Sequence, residues 1–147
     1  MKPIYFLLAG AFAFTACNSN ASTAETSQLS ALEQPQNASQ NGPKTLKSAE
    51  AKKLIETQKD LVILDVRTPE EFAGGHLKNA QLLNKYDPDF EAKLKALDRN
   101  KTYLVYCAVG GRSAKAVALM QEKGFAQVYN CEEGYEDLKK AGVETAE

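Results

Sequence analysis

The chain has 147 residues, 44% of them hydrophobic and 25% charged, with a formal net charge of −1. This length suits one domain with a small extension. The near-neutral charge argues against a nucleic-acid surface, and no stretch beyond the N-terminus is apolar enough to span a membrane. The composition therefore predicts a soluble monomeric domain whose partners are small molecules or other proteins.

The N-terminal residues have the pattern of an export signal. Lys2 precedes an apolar run over residues 4–14, and Cys17 stands where that run gives way to small residues. Positive charge, apolar run and small residues in this order predict a signal peptide over residues 1–16. The block before and including Cys17 resembles a bacterial lipobox, which implies lipidation of Cys17 and a periplasmic domain bound to a membrane only through that lipid. The alternative is an ordinary signal peptide cut near Ala16.

Residues 17–43 are dominated by Ser, Asn, Gln, Ala and Thr, with Leu29 and Leu32 as the only large aliphatic residues. Such a segment buries too little apolar surface to offset its ordering entropy, so a disordered tether is predicted. As a flexible coil it would separate the domain from the membrane by roughly 25–30 Å. The folded domain is expected over residues 44–147.

The first part of this domain alternates helical and strand patterns. Ser48 is expected to cap a helix, and the apolar run Leu61–Leu64 predicts a strand that is buried on both faces. Thr68-Pro69-Glu70-Glu71 forms a capping box with proline at the first helical position, which predicts a short helix that closes at Gly74.

The remaining elements follow in the same alternating manner. We expect a short strand at 80–83, a helix opened by Asp87-Pro88, a strand at 102–106, a helix at 113–123, a strand at 125–130 and a helix at 135–140. Strands that alternate with helices predict an α/β domain with a small, mainly parallel sheet flanked by helices.

The segment from Cys107 to Ser113 carries the strongest chemical signal. Cys107 directly follows a predicted strand, Ala108-Val109-Gly110-Gly111 form a turn, and Arg112-Ser113 begin a helix. Glycines and a helix N-terminus can aim several N–H donors at one point and stabilise a thiolate there. Arg112 can attract an anionic substrate, and Ser113 is expected to shape the loop. A buried structural cysteine is the alternative interpretation.

This loop resembles the C-x-x-G-x-R-S active-site loop of the rhodanese-like sulfurtransferases. The stretch from Leu64 to Phe72, followed by Gly75-His76-Leu77, resembles the first signature of that family, and Lys123-Gly124-Phe125 with Gly134 resembles its closing stretch. The similarity covers about residues 45–143. The chain departs from the common pattern at Glu133, Leu138 and Asn79, where the family often has Gly, Trp and Gly.

The resemblance implies a rhodanese-like α/β fold and sulfur transfer through a Cys107 persulfide. The thiolate would take sulfur from thiosulfate or a similar small anionic donor and pass it to a thiol, to cyanide or to a protein acceptor. The substrate-binding residues would be Ala108, Val109, Gly110, Gly111, Arg112 and Ser113. No metal or cofactor is implied.

Two other functions stay open. A phosphatase or arsenate reductase could use a related fold, but the related dual-specificity phosphatases place five residues between Cys and Arg, whereas four separate Cys107 from Arg112. The shorter loop makes a tighter cradle, which favours one sulfur over a tetrahedral phosphate. The second alternative is a persulfide carrier or a binding module for a protein partner.

Three further features need an interpretation. His76 is the only histidine, and a hydrogen-bonded structural role is favoured over catalysis. Asp65 and Arg67 are expected to form a local ion pair that fixes a turn. Cys131 follows a predicted strand, so it could pair with or resolve Cys107, but filling of an apolar position is the favoured role.

Overall fold

The computed structural model describes residues 44–147, so the predicted signal peptide, Cys17 and the tether lie outside the described residues. The elements in chain order are β1 Lys44–Leu46, α1 Ser48–Thr57, β2 Leu61–Asp65, α2 Pro69–Ala73, β3 His76–Leu77, β4 Gln81–Leu82, α3 Phe90–Lys95, β5 Thr102–Tyr106, α4 Gly111–Glu122, β6 Gln127–Cys131, α5 Tyr135–Lys140 and β7 Thr145–Ala146. Within this range, no helix is both long and apolar enough to cross a membrane.

Five strands form one parallel sheet in the order β1-β6-β5-β2-β4. The central strand β5 is buried along its whole length, which explains why its residues are apolar without alternation. The parallel pairing confirms the predicted α/β class with a mainly parallel sheet. It also brings the C-terminal ends of β2, β5 and β6 to one edge, where sites form in such sheets.

Helices cover both faces of the sheet and divide the core into two layers. One layer contains Tyr103, Val105 and Cys107 and packs against α3 and α4. The other contains Leu104 and Tyr106 together with apolar residues of α1 and α5. Because successive side chains of a strand point to opposite faces, the odd and even positions of β5 belong to different layers.

The capping box at the start of α2 is confirmed. The Thr68 hydroxyl accepts from the N–H of Glu71 at 3.3 Å, and the Glu71 carboxylate accepts from the N–H of Thr68 at 3.1 Å. Asn79 has a φ of 64°, the left-handed conformation that asparagine tolerates better than most residues.

The prediction that Ser48 caps α1 is wrong. Lys47 is the N-cap residue and Ser48 is the first helical residue. The N–H of Lys47 is satisfied by the Glu50 carboxylate at 2.9 Å, and that of Ser48 by the Glu133 carboxylate at 2.7 Å. One of the first free N–H groups of α1 is therefore satisfied by an acidic side chain that is distant in sequence.

Three other boundaries shift. Helix α3 begins at Phe90 rather than at Asp87, because the Asp87 carboxylate instead accepts from Asn84 and Lys93. Helix α4 begins two residues before the predicted Ser113, at Gly111. Strand β6 begins at Gln127 rather than at Phe125, whose N–H donates to Met120 at the end of α4.

Strands β1, β3 and β7 were not predicted. Strand β3 pairs with β7 in an antiparallel arrangement outside the main sheet, and β1 adds an edge to β6. Each has only two or three residues, too few for a hydrophobic period to appear in the sequence.

A buried ion pair joins β2 to the segment around α2. The Arg67 guanidinium donates to the Asp65 carboxylate at 2.6 Å and to the Gly75 carbonyl at 2.8 Å, and it lies 4.2 Å from the Tyr135 ring centroid. Asp65 is fully buried and Arg67 is 4% exposed. The predicted local pair thus also ties α2 and α5 to the end of β2.

We predict that Asp65→Asn lowers the free energy of unfolding by about 3–5 kcal/mol, because it leaves a buried guanidinium without its counter-charge. Urea denaturation measures this loss. Glu144→Gln is the matched control, since the Lys78–Glu144 pair is exposed and exposed pairs contribute little. Equal denaturation midpoints for both variants would contradict the assignment.

Candidate active site around Cys107

Cys107 lies between the end of β5 and the start of α4. The turn ends at Gly110, the N-cap residue of α4, which has a φ of 80°. This left-handed conformation is readily available only to glycine. The following residues, Gly111 to Ser113, form the first turn of the helix, whose N–H groups have no partner within the helix. The predicted strand–turn–helix arrangement therefore places Cys107 at a helix N-terminus.

Hydrogen-bond donors surround the Cys107 thiol. The Ser113 hydroxyl lies 3.6 Å from Sγ and 2.9 Å from the Gly110 carbonyl oxygen, so its single proton can be donated to either acceptor. Burial would raise the pKa of Cys107, but hydrogen bonds from the Ser113 hydroxyl and from the N–H groups of Ser113, Val109 and Arg112 outweigh it, so the pKa lies below its usual value. The cradle therefore favours the nucleophilic thiolate.

The segment from Cys131 to Tyr135 supports this loop from behind. The N–H of Tyr135 donates to the Cys107 carbonyl at 2.8 Å. A Cβ atom at Gly134 would lie 2.0 Å from the Ala108 carbonyl oxygen, and one at Gly110 would lie 2.0 Å from the Glu132 carbonyl oxygen. Two glycines thus let the two backbone segments touch, which fixes the direction of the loop N–H groups.

Arg112 is held by a carboxylate beside the loop. Its guanidinium donates to both Glu71 oxygens, at 2.6 and 2.7 Å, and the Tyr86 ring centroid is 5.8 Å away. The bonds to Arg112 lower the pKa of Glu71 to about 2, and Glu71 raises the pKa of Arg112. Both groups therefore stay charged at neutral pH, and the guanidinium that was expected to attract an anion already has a counter-charge.

The remaining predicted site residues differ in exposure. Val109 is 78% exposed although its N–H points to the thiol, while Ala108 is half-buried and Gly111 is exposed. Cys107 itself is buried. The loop therefore presents an exposed apolar side chain two residues from the buried sulfur.

Cys131 and Cys107 lie at neighbouring strand ends but in different core layers. Strand β5 does pair with β6, yet Cys131 packs in the layer of Leu104 and Tyr106, on the opposite side of the sheet from Cys107. Both are free thiols, and burial raises the pKa of Cys131. The structure supports the space-filling role and disfavours a pairing or resolving role.

His76 takes part in local packing. Its ring stacks on Phe72 with centroids 3.7 Å apart, and Nδ1 lies 3.1 Å from the Phe72 carbonyl oxygen. The imidazole thus packs against Phe72 near the end of α2, in keeping with the structural role favoured from the sequence.

Three contributors to the site were not predicted. Glu71 was recognised only as a capping residue, Gly134 only as part of a motif, and Glu133 only as a departure from the family pattern. Each acts across a long sequence separation: Glu71 on Arg112, Gly134 on Ala108 and Glu133 on Ser48. A glycine directly before the last helix was the one available signal, because it permits a close backbone approach.

Comparison with known proteins places this geometry in a family. A model of the rhodanese-like domain matches residues 47–141. The chain belongs to the rhodanese-like domain family. A rhodanese-like domain protein from Staphylococcus aureus of known crystal structure is 33% identical, with a TM-score of 0.60 over 69% of this chain and 96% of that chain.

Two curated relatives carry functional names. Thiosulfate sulfurtransferase GlpE from Stutzerimonas stutzeri is 37% identical over 76 residues, which are 51% of this chain and 67% of the relative. The tRNA uridine(34) hydroxylase from Cytophaga hutchinsonii is 37% identical over 95 residues, which are 63% of this chain but only 30% of the relative. The chain therefore spans less than a third of the length of the hydroxylase.

We predict that Gly134→Ala lowers the alkylation rate of Cys107 by iodoacetamide about tenfold, the effect of a one-unit rise in pKa, because the new Cβ would push Ala108 and the loop N–H groups away. Site-resolved mass spectrometry measures the rate. Gly124→Ala is the control: its φ of 85° imposes the same backbone penalty, but no atom lies within 4 Å of the new Cβ. Equal rates in both variants would contradict the bracing role of Gly134.

Proposed function

We propose that this protein is a sulfurtransferase that moves sulfane sulfur from thiosulfate, or a similar donor, to a thiol or cyanide acceptor through a Cys107 persulfide. The observation that supports the proposal is the position of the Cys107 thiol at the N-terminus of α4, 3.6 Å from the Ser113 hydroxyl, where hydrogen bonds from the hydroxyl and the loop N–H groups lower its pKa. The sulfurtransferase name of the GlpE relative supports the same reaction class.

Two displacements at sulfur account for the reaction. The Cys107 thiolate attacks the outer sulfur of thiosulfate, and the S–S bond breaks with its electron pair on the departing sulfite. The outer sulfur of the resulting persulfide anion can accept hydrogen bonds from the donors around Cys107. An acceptor thiolate or cyanide then attacks that sulfur, and the Cys107 thiolate leaves. This covalent route draws only on the chain's own residues.

Loop size separates this proposal from phosphatase chemistry. Four residues lie between Cys107 and Arg112, and the loop is held tight by backbone contacts at Gly110 and Gly134. A cradle of this size suits one added sulfur atom better than a phosphate with three equatorial oxygens.

A persulfide carrier for a protein partner is the second candidate. The exposed Val109 beside a buried thiol is compatible with docking of a partner that presents its own cysteine. Turnover with a small acceptor distinguishes the two: a carrier accepts sulfur from the donor but releases it slowly to cyanide or free thiols.

We predict that thiosulfate treatment of the reduced protein adds about 32 Da, one sulfur, to Cys107, as measured by intact and peptide mass spectrometry. Steady thiosulfate:cyanide turnover should accompany the adduct and disappear in Cys107→Ala. Cys131→Ala is the control, because Cys131 lies in the other core layer, and it should keep the adduct. p-Nitrophenyl phosphate turnover that is lost in Cys107→Ser, without any sulfur adduct, would overturn the proposal.

We further propose that the chain is exported and anchored to a bacterial membrane through lipid on Cys17. Support comes from the order of Lys2, the apolar run and the lipobox-like block in the sequence. Labelled palmitate should enter the full chain expressed in a bacterial host, and Cys17→Ser should abolish that labelling. Labelling that persists in Cys17→Ser, or export with no lipid on the wild type, would contradict this anchor.

A further inference from the structure

We infer that Glu71, Tyr86 and Val109 set the donor preference of the Cys107 site toward sulfur carried on an apolar organic group and away from small dianions. This inference rests on the proposed sulfurtransferase function and names the class of donor. An organic persulfide, R–S–SH, belongs to this class. Thiosulfate would then be a usable but poor substrate.

The charge balance beside the loop is the first argument. Arg112 is the only charged residue between Cys107 and Ser113, and both terminal nitrogens of its guanidinium are engaged by Glu71. The Glu71 pKa of about 2 keeps this carboxylate ionised over the whole working range. A dianion therefore meets no unbalanced positive side chain at the loop.

Lys85, which precedes Tyr86 in the chain, also has an aromatic partner. Lys85 Nζ lies 4.4 Å from the centroid of the Phe90 ring, where a cation–π contact holds it. What stabilises negative charge at Cys107 is thus mainly neutral N–H groups. These can hold the single charge of a thiolate or persulfide, but they provide less attraction for a doubly charged ligand.

The second argument is the apolar surface around the entrance. Among residues 44–147, only three large hydrophobic side chains are exposed. Two of them belong to this region: Val109 lies in the loop, and the Tyr86 ring lies beside the Arg112 guanidinium. Tyr86 is 68% exposed, and its N–H donates to the Asn84 side chain at 3.1 Å, which fixes the turn. An organic group over these two side chains would remove their apolar area from water.

The transfer itself balances without a further reactant. The Cys107 thiolate attacks the outer sulfur of R–S–SH, and the S–S bond breaks with its electron pair on the inner sulfur. The products are Cys107–S–SH and RS⁻. The released group R is the part that contacts Tyr86 and Val109, so these residues act on the donor and not on the bound persulfide.

Three stable probes separate charge from apolar contact: thiosulfate is a dianion, methanethiosulfonate a small monoanion and benzenethiosulfonate a monoanion with an apolar ring. Each donates its outer sulfur and leaves as sulfite or as the corresponding sulfinate. Turnover to cyanide is measured with the full chain at low ionic strength. Changes in kcat/KM relative to the wild type are compared, because the intrinsic reactivity of each donor then cancels.

Glu71→Gln should raise kcat/KM for thiosulfate about 3–10-fold, since Arg112 loses its counter-charge, and the gain should shrink as salt is added. The gain for benzenethiosulfonate should be smaller. Glutamine keeps an acceptor for the Thr68 N–H. Glu70→Gln is the matched control, because it removes the same charge from the neighbouring exposed residue and should change neither donor.

Val109→Thr and Tyr86→Ala test the contribution of the two exposed apolar side chains. Threonine keeps the shape of valine but replaces a methyl group by a hydroxyl. Each variant should lower the ratio of kcat/KM for benzenethiosulfonate to that for methanethiosulfonate about 3–10-fold, the usual effect of a lost apolar contact.

The results that overturn the inference differ from those that overturn the proposed function. Absence of a Cys107 sulfur adduct with all three donors, in folded and reduced protein, would remove sulfur transfer itself. If sulfur is transferred but Glu71→Gln changes kcat/KM equally for all donors, the assignment of Glu71 is wrong. If Val109→Thr and Tyr86→Ala both leave the ratio of kcat/KM for benzenethiosulfonate to that for methanethiosulfonate unchanged, the assignment of these two residues is wrong. In both cases the proposed sulfurtransferase function would stand.

Discussion

The contact between two backbone segments at the C-terminal edge of the sheet controls the chemistry of this domain. One segment runs from Cys107 to Gly111 and the other from Cys131 to Tyr135. They touch where Gly110 and Gly134 leave no room for a side chain, and the Tyr135 N–H closes the contact on the Cys107 carbonyl. Because the loop cannot relax away from this support, its N–H groups remain directed at the thiol, and a buried cysteine has a lowered pKa rather than a raised one.

The sheet and the buried ion pair hold that contact in register. Strands β5 and β6 are parallel neighbours, so both segments leave the sheet at the same edge. The Asp65–Arg67 pair reaches from β2 to Gly75 and to the Tyr135 ring, which secures the start of α5 directly after the supporting segment. The two cysteines differ in the balance of the same effects: both lie at strand ends near N–H donors, but hydrogen bonds outweigh burial at Cys107 and burial outweighs them at Cys131.

Features that depend on local sequence were predicted well. A few residues are enough to predict the strand β2, the capping box of α2 and the turn at Cys107, because propensity, capping and glycine chemistry are short-range effects. Motif resemblance added the order of the signatures and hence the fold. Asn79, which stands where the family often has glycine, adopts the left-handed conformation that asparagine tolerates.

Features that depend on tertiary contact were missed. Nothing near Glu71 indicates that it reaches Arg112, 41 residues away, and Glu133 bonds to Ser48 over 85 residues. The serine cap of α1 failed because the helix begins one residue earlier, with Lys47 as the N-cap and Ser48 inside the first turn. The two-residue strands β3 and β7 depend on each other and carry no pattern of their own. Arg112, which was expected to attract an anionic substrate, proved to be paired with Glu71.

The most direct test of this account is a site-resolved titration of Cys107, followed by the ¹³C shift of its Cβ in the cysteine-labelled protein. The account predicts a midpoint below that of an ordinary thiol, about 8.5, and a rise in Ser113→Ala, which removes the hydroxyl donor. Cys131 in the same spectra should titrate above the ordinary value. A Cys107 midpoint at or above that of a free thiol would show that burial outweighs the N–H cradle and would contradict the account.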